Sequence, residues 1–166
     1  MPTTSRASAA SISICATTER DLADGIGPAR ALRDAGCRLV LGSDQHAITD
    51  LIEEARGLEM HERLAAEQRG RFTMGELVDA LTADGHRSLG WDDAGRIEPG
   101  GRADLTVIGL ESVRTAGSLP EQVLLAAAAA DVTTVIVDGR VIVSDGRHVL
   151  GDVGRMVSEA VAALHG

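Results

Sequence analysis

The sequence has no lysine and no tyrosine, and its only aromatic side chains are Phe72 and Trp91. A core must therefore be packed from Val, Leu, Ile and Ala, without stacked rings. All 16 basic residues are arginine, and against 25 acidic residues they leave a net charge of −9. That balance excludes nucleic acid as a partner, because phosphate binding needs clustered cations. No run approaches the roughly 20 apolar residues that a membrane span requires, so no membrane partner is expected. The opening segment MPTTSRASAASISI has one arginine and no sustained apolar stretch, which speaks against a secretory leader and for a cytoplasmic setting. Cys15 and Cys37 form no Cys-x-x-Cys pair and read as two reduced, buried thiols.

What is present is 166 residues, 44% hydrophobic and 25% charged, the composition of one globular domain or of a piece of a larger one. Residues 1–11 read as a loose lead-in, rich in Ser, Thr and Ala. Ile12, Ile14 and Cys15 suggest a short strand, and Ala29 to Ala35 a helix closed by Gly36. Arg38 to Gly42 has the continuous apolar character of a buried parallel strand. Strand, helix, strand over about 30 residues is a βαβ unit. Ile48, Leu51, Ile52, Ala55 and Leu58 recur at helical spacing, with Asp50 and Glu53 placed to cap the first turn. Thr73 and Glu76 form a capping box for a helix running through Leu77 and Leu81 to Gly85, followed by a turn over His86 to Gly90.

The character then changes. Gly95 to Gly101 is rich in turn formers, Ala103 to Ile108 reads as a strand, and Asp104 is expected to fix a turn by hydrogen bonding. Pro120 suits the first position of a helix over Glu121 to Ala130. Val132 to Val137 and Arg140 to Val143 flank Asp138-Gly139, a favoured two-residue hairpin loop, and Asp145-Gly146 repeats the signal. Val153, Met156, Val157, Ala160, Val161 and Leu164 mark a closing amphipathic helix.

The stretch with most chemical content is Leu39-Val40-Leu41-Gly42-Ser43-Asp44-Gln45-His46. An acidic residue just past a buried parallel strand lies at the sheet's C-terminal edge, where α/β barrels place their catalytic groups. Asp44 there can bind a divalent metal or accept a proton, although a turn or cap aspartate fits the same local pattern. Thr18 and Glu19 follow the first strand and either face the same mouth or are simply loop polarity. Gly25-x-Gly27 lacks the third glycine of a dinucleotide fingerprint and reads as a turn.

Taken in order, Gly42-Ser43-Asp44-x-His46, Thr82 to Gly90, Gly95 to Leu105 and Val135 to Val143 resemble the tail of the amidohydrolase superfamily. The resemblance covers roughly residues 12–145. Within the superfamily, Cys15 to Leu22, Asp24 to Pro28, Asp50 to Arg56 and Val113-Arg114-Thr115-Ala116-Gly117 are similar to formimidoylglutamate deiminases, with Ala16 where that subfamily usually has proline. The resemblance implies an α/β chain that is the C-terminal fragment of a (β/α)8 TIM barrel, strands seven and eight with their helices, plus part of a small β-sandwich. The implied boundaries are 12–93 for the barrel segment, 94–150 for the sandwich part and 151–166 for a C-terminal helix.

The implied activity is hydrolysis of the formimino C–N bond of N-formimino-L-glutamate to N-formyl-L-glutamate and ammonia. The implied cofactor is zinc, with Asp44 as metal ligand and catalytic carboxylate and His46 beside the substrate. Such a zinc needs three protein ligands, which the family draws largely from a His-x-His pair and a further histidine. No His-x-His occurs here. His61, His86, His148 and His165 read as surface or packing residues. This chain alone is therefore expected to be inactive and not to hold zinc stably. Its expected partner is a complementing N-terminal fragment or a second copy through exposed strand edges. Two other outcomes stay open: a non-catalytic remnant or association module, and the tail of another amidohydrolase of guanine deaminase or imidazolonepropionase type.

Overall fold

The computed structural model describes residues 10–165, so most of the expected lead-in lies outside the described residues. The first strand, β1 (Ser11–Ile14), begins one residue earlier than expected and pairs in parallel with β2 (Arg38–Leu41), Ile12 opposite Leu39 and Ile14 opposite Leu41. Between them run two short helices, α1 (Ala16–Leu22) and α2 (Ala29–Asp34). Helix α1 corrects the sequence expectation of a loop after the first strand. Its start carries Thr17 and Thr18, a polar run that resembles a loop locally, yet both side chains are buried.

The long helix α3 (Leu51–Ala66) packs against α1, α2 and β2. It starts at Leu51 rather than Ile48, which is left exposed, because Asp50 is the cap: its Oδ1 accepts from Ile52 N at 2.9 Å and Glu53 N at 3.1 Å. The capping box of Thr73 and Glu76 opens α4 (Met74–Leu81) as expected. The helix does not run unbroken to Gly85, however: Thr82 adopts φ −121°, ψ −93°, and a separate helix α5 (Ala83–Ser88) follows, reaching into the turn expected from His86. Gly95 packs on this junction, where a Cβ would meet the backbone of Thr82 and Ala83 at 2.7 Å.

The remaining strands form an antiparallel sheet in the order β3 (Leu105–Ile108), β4 (Val132–Val137), β5 (Arg140–Ser144) and β6 (Arg147–His148). Both Asp-Gly loops close hairpins, with positive φ at Asp138, Gly139, Asp145 and Gly146, as this tight turn demands. Asp104 acts as expected: its Oδ1 accepts from Asp138 N at 2.6 Å and holds the first hairpin turn. Between β3 and β4, Pro120–Leu125 and Ala129–Asp131 are 3₁₀ helices, not one α-helix. Here Asp131 is fixed by Arg114 (2.8 and 3.0 Å) and by Ala128 N (2.9 Å), and these contacts, the Arg114 bond foremost, hold its carboxyl far below the usual carboxylate range.

One apolar core joins both sheets' neighbourhoods: Ile14, Leu39, Leu58 and Leu77 pack in the same cluster as Leu124 and Ala127. A cleft of about 830 Å³ remains between α3, α4 and the antiparallel sheet, lined by Ile52, Val78, Ile108 and Val135 among others. Helix α6 (Val153–His165) has no buried residue. Cys15 and Cys37 are free but half-buried, less enclosed than expected.

Helix α3 organises this fold through buried carboxylates. Glu54 and Glu59 have no exposed surface, and Glu62 is almost as enclosed. Glu54 accepts from Thr17 N at 3.1 Å and from the Thr17 hydroxyl, which satisfies the N-terminus of α1. Glu62 accepts from Arg30 N at 2.7 Å at the start of α2. Glu59 accepts from Phe72 N (2.6 Å), Arg71 N (3.2 Å) and Arg63 Nε (2.6 Å), fixing the approach to α4. Removing Glu59 leaves buried donors unpaired. Glu59→Ala is thus expected to lower stability by about 3 kcal/mol, and Glu59→Gln by less, since it keeps an acceptor oxygen. Urea unfolding of the purified chain reads both; a loss under roughly 0.5 kcal/mol for the alanine variant would contradict the assignment.

Candidate active site

Because β1 and β2 run in parallel, the segments after Ile14 and after Leu41 leave the sheet at the same edge. Gly42 N still donates to Ile14 O at 3.3 Å, so the two exits stay side by side. The first leads into α1 and the second into Gly42-Ser43-Asp44-Gln45-His46. Asp44 lies at this edge, exposed, in a turn closed by His46 N donating to Ser43 O at 2.9 Å.

Its backbone is unusual. Asp44 has φ +45°, in the left-handed region. Of the other non-glycine residues there, Ala23 and Glu67 end helices and Asp138 and Asp145 make hairpin turns. Asp44 serves neither purpose, and holding it there costs on the order of 1 kcal/mol. Such conformations persist where the surroundings impose them. Here Thr18, 3% exposed on α1, donates its hydroxyl to Ser43 O at 2.7 Å and accepts from His46 N at 3.1 Å. Gln45 Nε2 adds a bond to Asp21 Oδ2 at 3.2 Å.

His46 is half-buried, and its imidazole is engaged locally: Ile48 N donates to Nδ1 at 3.2 Å. The structure thus places Asp44 and His46 on one short turn, with Thr18 beneath it. Thr18 is the residue that sequence reasoning underweighted. Its one signal was its place four residues past an apolar strand end, and the polar run around it concealed that. Glu19 turns away from this role, its Oε1 accepting from Cys15 N at 3.1 Å.

The other histidines serve their own neighbourhoods. His86 Nδ1 bonds Thr82 O at 2.9 Å within the α4–α5 junction, and His148 Nδ1 accepts from Leu150 N at 3.1 Å. Among the described residues no group of three or more His, Cys, Asp or Glu side chains comes together as a metal site. The residues present therefore do not fit the zinc that the resemblance implies: Asp44 is one carboxylate where at least three ligands are needed.

The Amidohydrolase family matches residues 1–142, and the chain belongs to that family. It is 33% identical over 151 residues to the 5-methylthioadenosine/S-adenosylhomocysteine deaminase of Natronomonas pharaonis, covering 88% of this chain and 35% of that protein. It is 36% identical over 146 residues to the formimidoylglutamate deiminase of Pseudomonas aeruginosa, covering 81% and 32% respectively. Among solved structures, an adenosine deaminase from Xanthomonas campestris with bound Zn superposes with a TM-score of 0.84 at 28% identity, over 92% of this chain and 36% of that one. The chain spans about a third of the length of these relatives. The narrower likeness to formimidoylglutamate deiminases is thus shared with 5-methylthioadenosine/S-adenosylhomocysteine deaminases.

Metal analysis of the purified chain after zinc exposure and desalting is expected to find well under one zinc per chain, with no change in Asp44→Asn. One equivalent of zinc, lost in that variant, would contradict the incomplete ligand set.

Proposed function

We propose that the chain is the C-terminal part of an amidohydrolase that hydrolyses a C–N bond and releases ammonia, with Asp44 as its catalytic carboxylate. The observation that carries this is the strained, braced turn presenting an exposed carboxylate at the C-terminal edge of a parallel strand pair. In this proposal residues 12–93 are the barrel segment, strands seven and eight with their helices, and residues 94–150 belong to a composite β-sandwich. Asp44 accepts the proton of the attacking water, and His46 borders the substrate. Zinc belongs to the complete enzyme, with Asp44 as the one ligand this chain adds. The free edges of the parallel pair, the apolar cleft beside β3 and β4, and the uncovered apolar face of α6 are surfaces that the remaining two thirds of such an enzyme would cover.

For the substrate we favour the formimino group of N-formimino-L-glutamate, which water converts to N-formyl-L-glutamate and ammonia. Its support is the set of subfamily phrases at Cys15 to Leu22, Asp50 to Arg56 and Val113 to Gly117. These phrases hold structure: Glu54 satisfies α1, Arg56 donates to Ala127 O at 2.7 Å, and Arg114 fixes Asp131. The second substrate class, an adenine-type amino group, is favoured by the relative from Natronomonas pharaonis and the structural neighbour from Xanthomonas campestris.

The test replaces the C-terminal third of each of two hosts with the whole chain: the Pseudomonas aeruginosa formimidoylglutamate deiminase and the Natronomonas pharaonis deaminase. Ammonia release from formiminoglutamate in the first host is the expected result, falling roughly 10²–10⁴-fold in Asp44→Asn. Activity only in the second host, on 5-methylthioadenosine, would move the assignment to the second substrate class. Full activity of Asp44→Asn in either host would overturn the role of Asp44.

A further inference from the structure

We propose that Thr18 is the positioning residue of the site: its hydroxyl sets the backbone of the turn that presents Asp44. This rests on the assignment of Asp44 as the catalytic carboxylate, but the geometry stands by itself. The Thr18 hydroxyl acts both as donor and as acceptor on the two residues that flank Asp44-Gln45. It donates to the Ser43 carbonyl at 2.7 Å and accepts from the His46 amide at 3.1 Å. Both bonds are long-range, crossing from α1 to the segment after β2, and Thr18 is 3% exposed, so water competes little for them.

The turn needs such a brace. Asp44 is a non-glycine residue at φ +45° with no helix end or hairpin to impose that conformation. The turn's own closure, His46 N to Ser43 O at 2.9 Å, shares its donor with Thr18. Thr18 is itself immobilised from behind. Its neighbour Thr17 is held through both backbone N–H and hydroxyl by Glu54, which projects from α3 and has no exposed surface. A rigid connection therefore runs from α3 through α1 to the turn, and its last link is a single hydroxyl. A small displacement of a catalytic group costs rate steeply, so the hydroxyl acts on turnover through Asp44 without meeting the substrate.

Two measurements test this. The first uses the full chain alone: amide hydrogen exchange followed by NMR in wild type, Thr18→Val and Thr18→Ser. Thr18→Val keeps the shape and loses the hydroxyl, and the His46 amide is expected to exchange about tenfold faster, with the β1–β2 ladder amides Arg38 and Val40 unchanged. Thr18→Ser keeps the hydroxyl and is expected to match wild type. An unchanged His46 amide, or equal acceleration at every amide, would overturn the local role. If Thr18→Val does not fold, Thr18→Ala carries the same comparison. The second measurement places the variants in the assembled hybrid enzyme, where Thr18→Val is expected to lower kcat about tenfold with KM unchanged, and Thr18→Ser to restore it. An unaltered kcat, with Asp44→Asn inactive, would overturn the functional part of the proposal. An active Asp44→Asn would instead remove the assignment of Asp44, while the exchange measurement would still decide what Thr18 holds.

Discussion

Burying a carboxylate is costly unless its oxygens find donors, and α3 buries Glu54, Glu59 and Glu62 on the side facing the rest of the chain. The donors come from segments far away in sequence: the start of α1, the start of α2 and the approach to α4. Asp50 extends the pattern, capping α3 with one oxygen and accepting from Ala129 N at 2.8 Å with the other. Glu54 and Glu62 satisfy orphan helix N–H groups in this way, and Glu59 satisfies the loop amides that lead into α4. With almost no aromatic residues to give the core shape, these directional bonds fix where the short helices sit on the apolar cluster.

This placement leads directly to the site. Helix α1 is seven residues long and has no side-chain cap of its own, so little in its own sequence holds it. Glu54 supplies the missing acceptor, and the helix then presents Thr18 to the turn after β2. The parallel pairing of β1 and β2 brings the two exits together, and the turn places Asp44 at the shared edge. The chemistry proposed for Asp44 thus depends on a carboxylate ten residues further along, which touches nothing at the mouth itself.

The sequence was legible where the determinants are local. The Asp50 cap, the Thr73 and Glu76 box and the two Asp-Gly hairpins are each written within a few residues of where they act, and all are legible. The edge position of Asp44 is legible because it follows a continuous apolar strand. The failures share one cause, which is dependence on distant partners. Helix α1 resembled a loop because its stabilising acceptor stands 37 residues away, and Thr18 was set aside with it. The break at Thr82 lies where Gly95 packs on the backbone of Thr82 and Ala83, and the 3₁₀ turn at Ala129–Asp131 where Asp131 bonds Arg114. The metal partners were not legible because among the described residues no ligand cluster exists to be read.

If α3 carboxylates organise the fold, the amides they accept from must be among the best protected in the chain. Native-state hydrogen exchange at Thr17, Arg30 and Phe72 measures this directly. Protection equal to that of Arg38 and Val40, whose amides bond across the parallel strand pair, is predicted, although all three amides lie at helix starts or in a loop. Exchange at the rates of the exposed segment around Gly151 would contradict it.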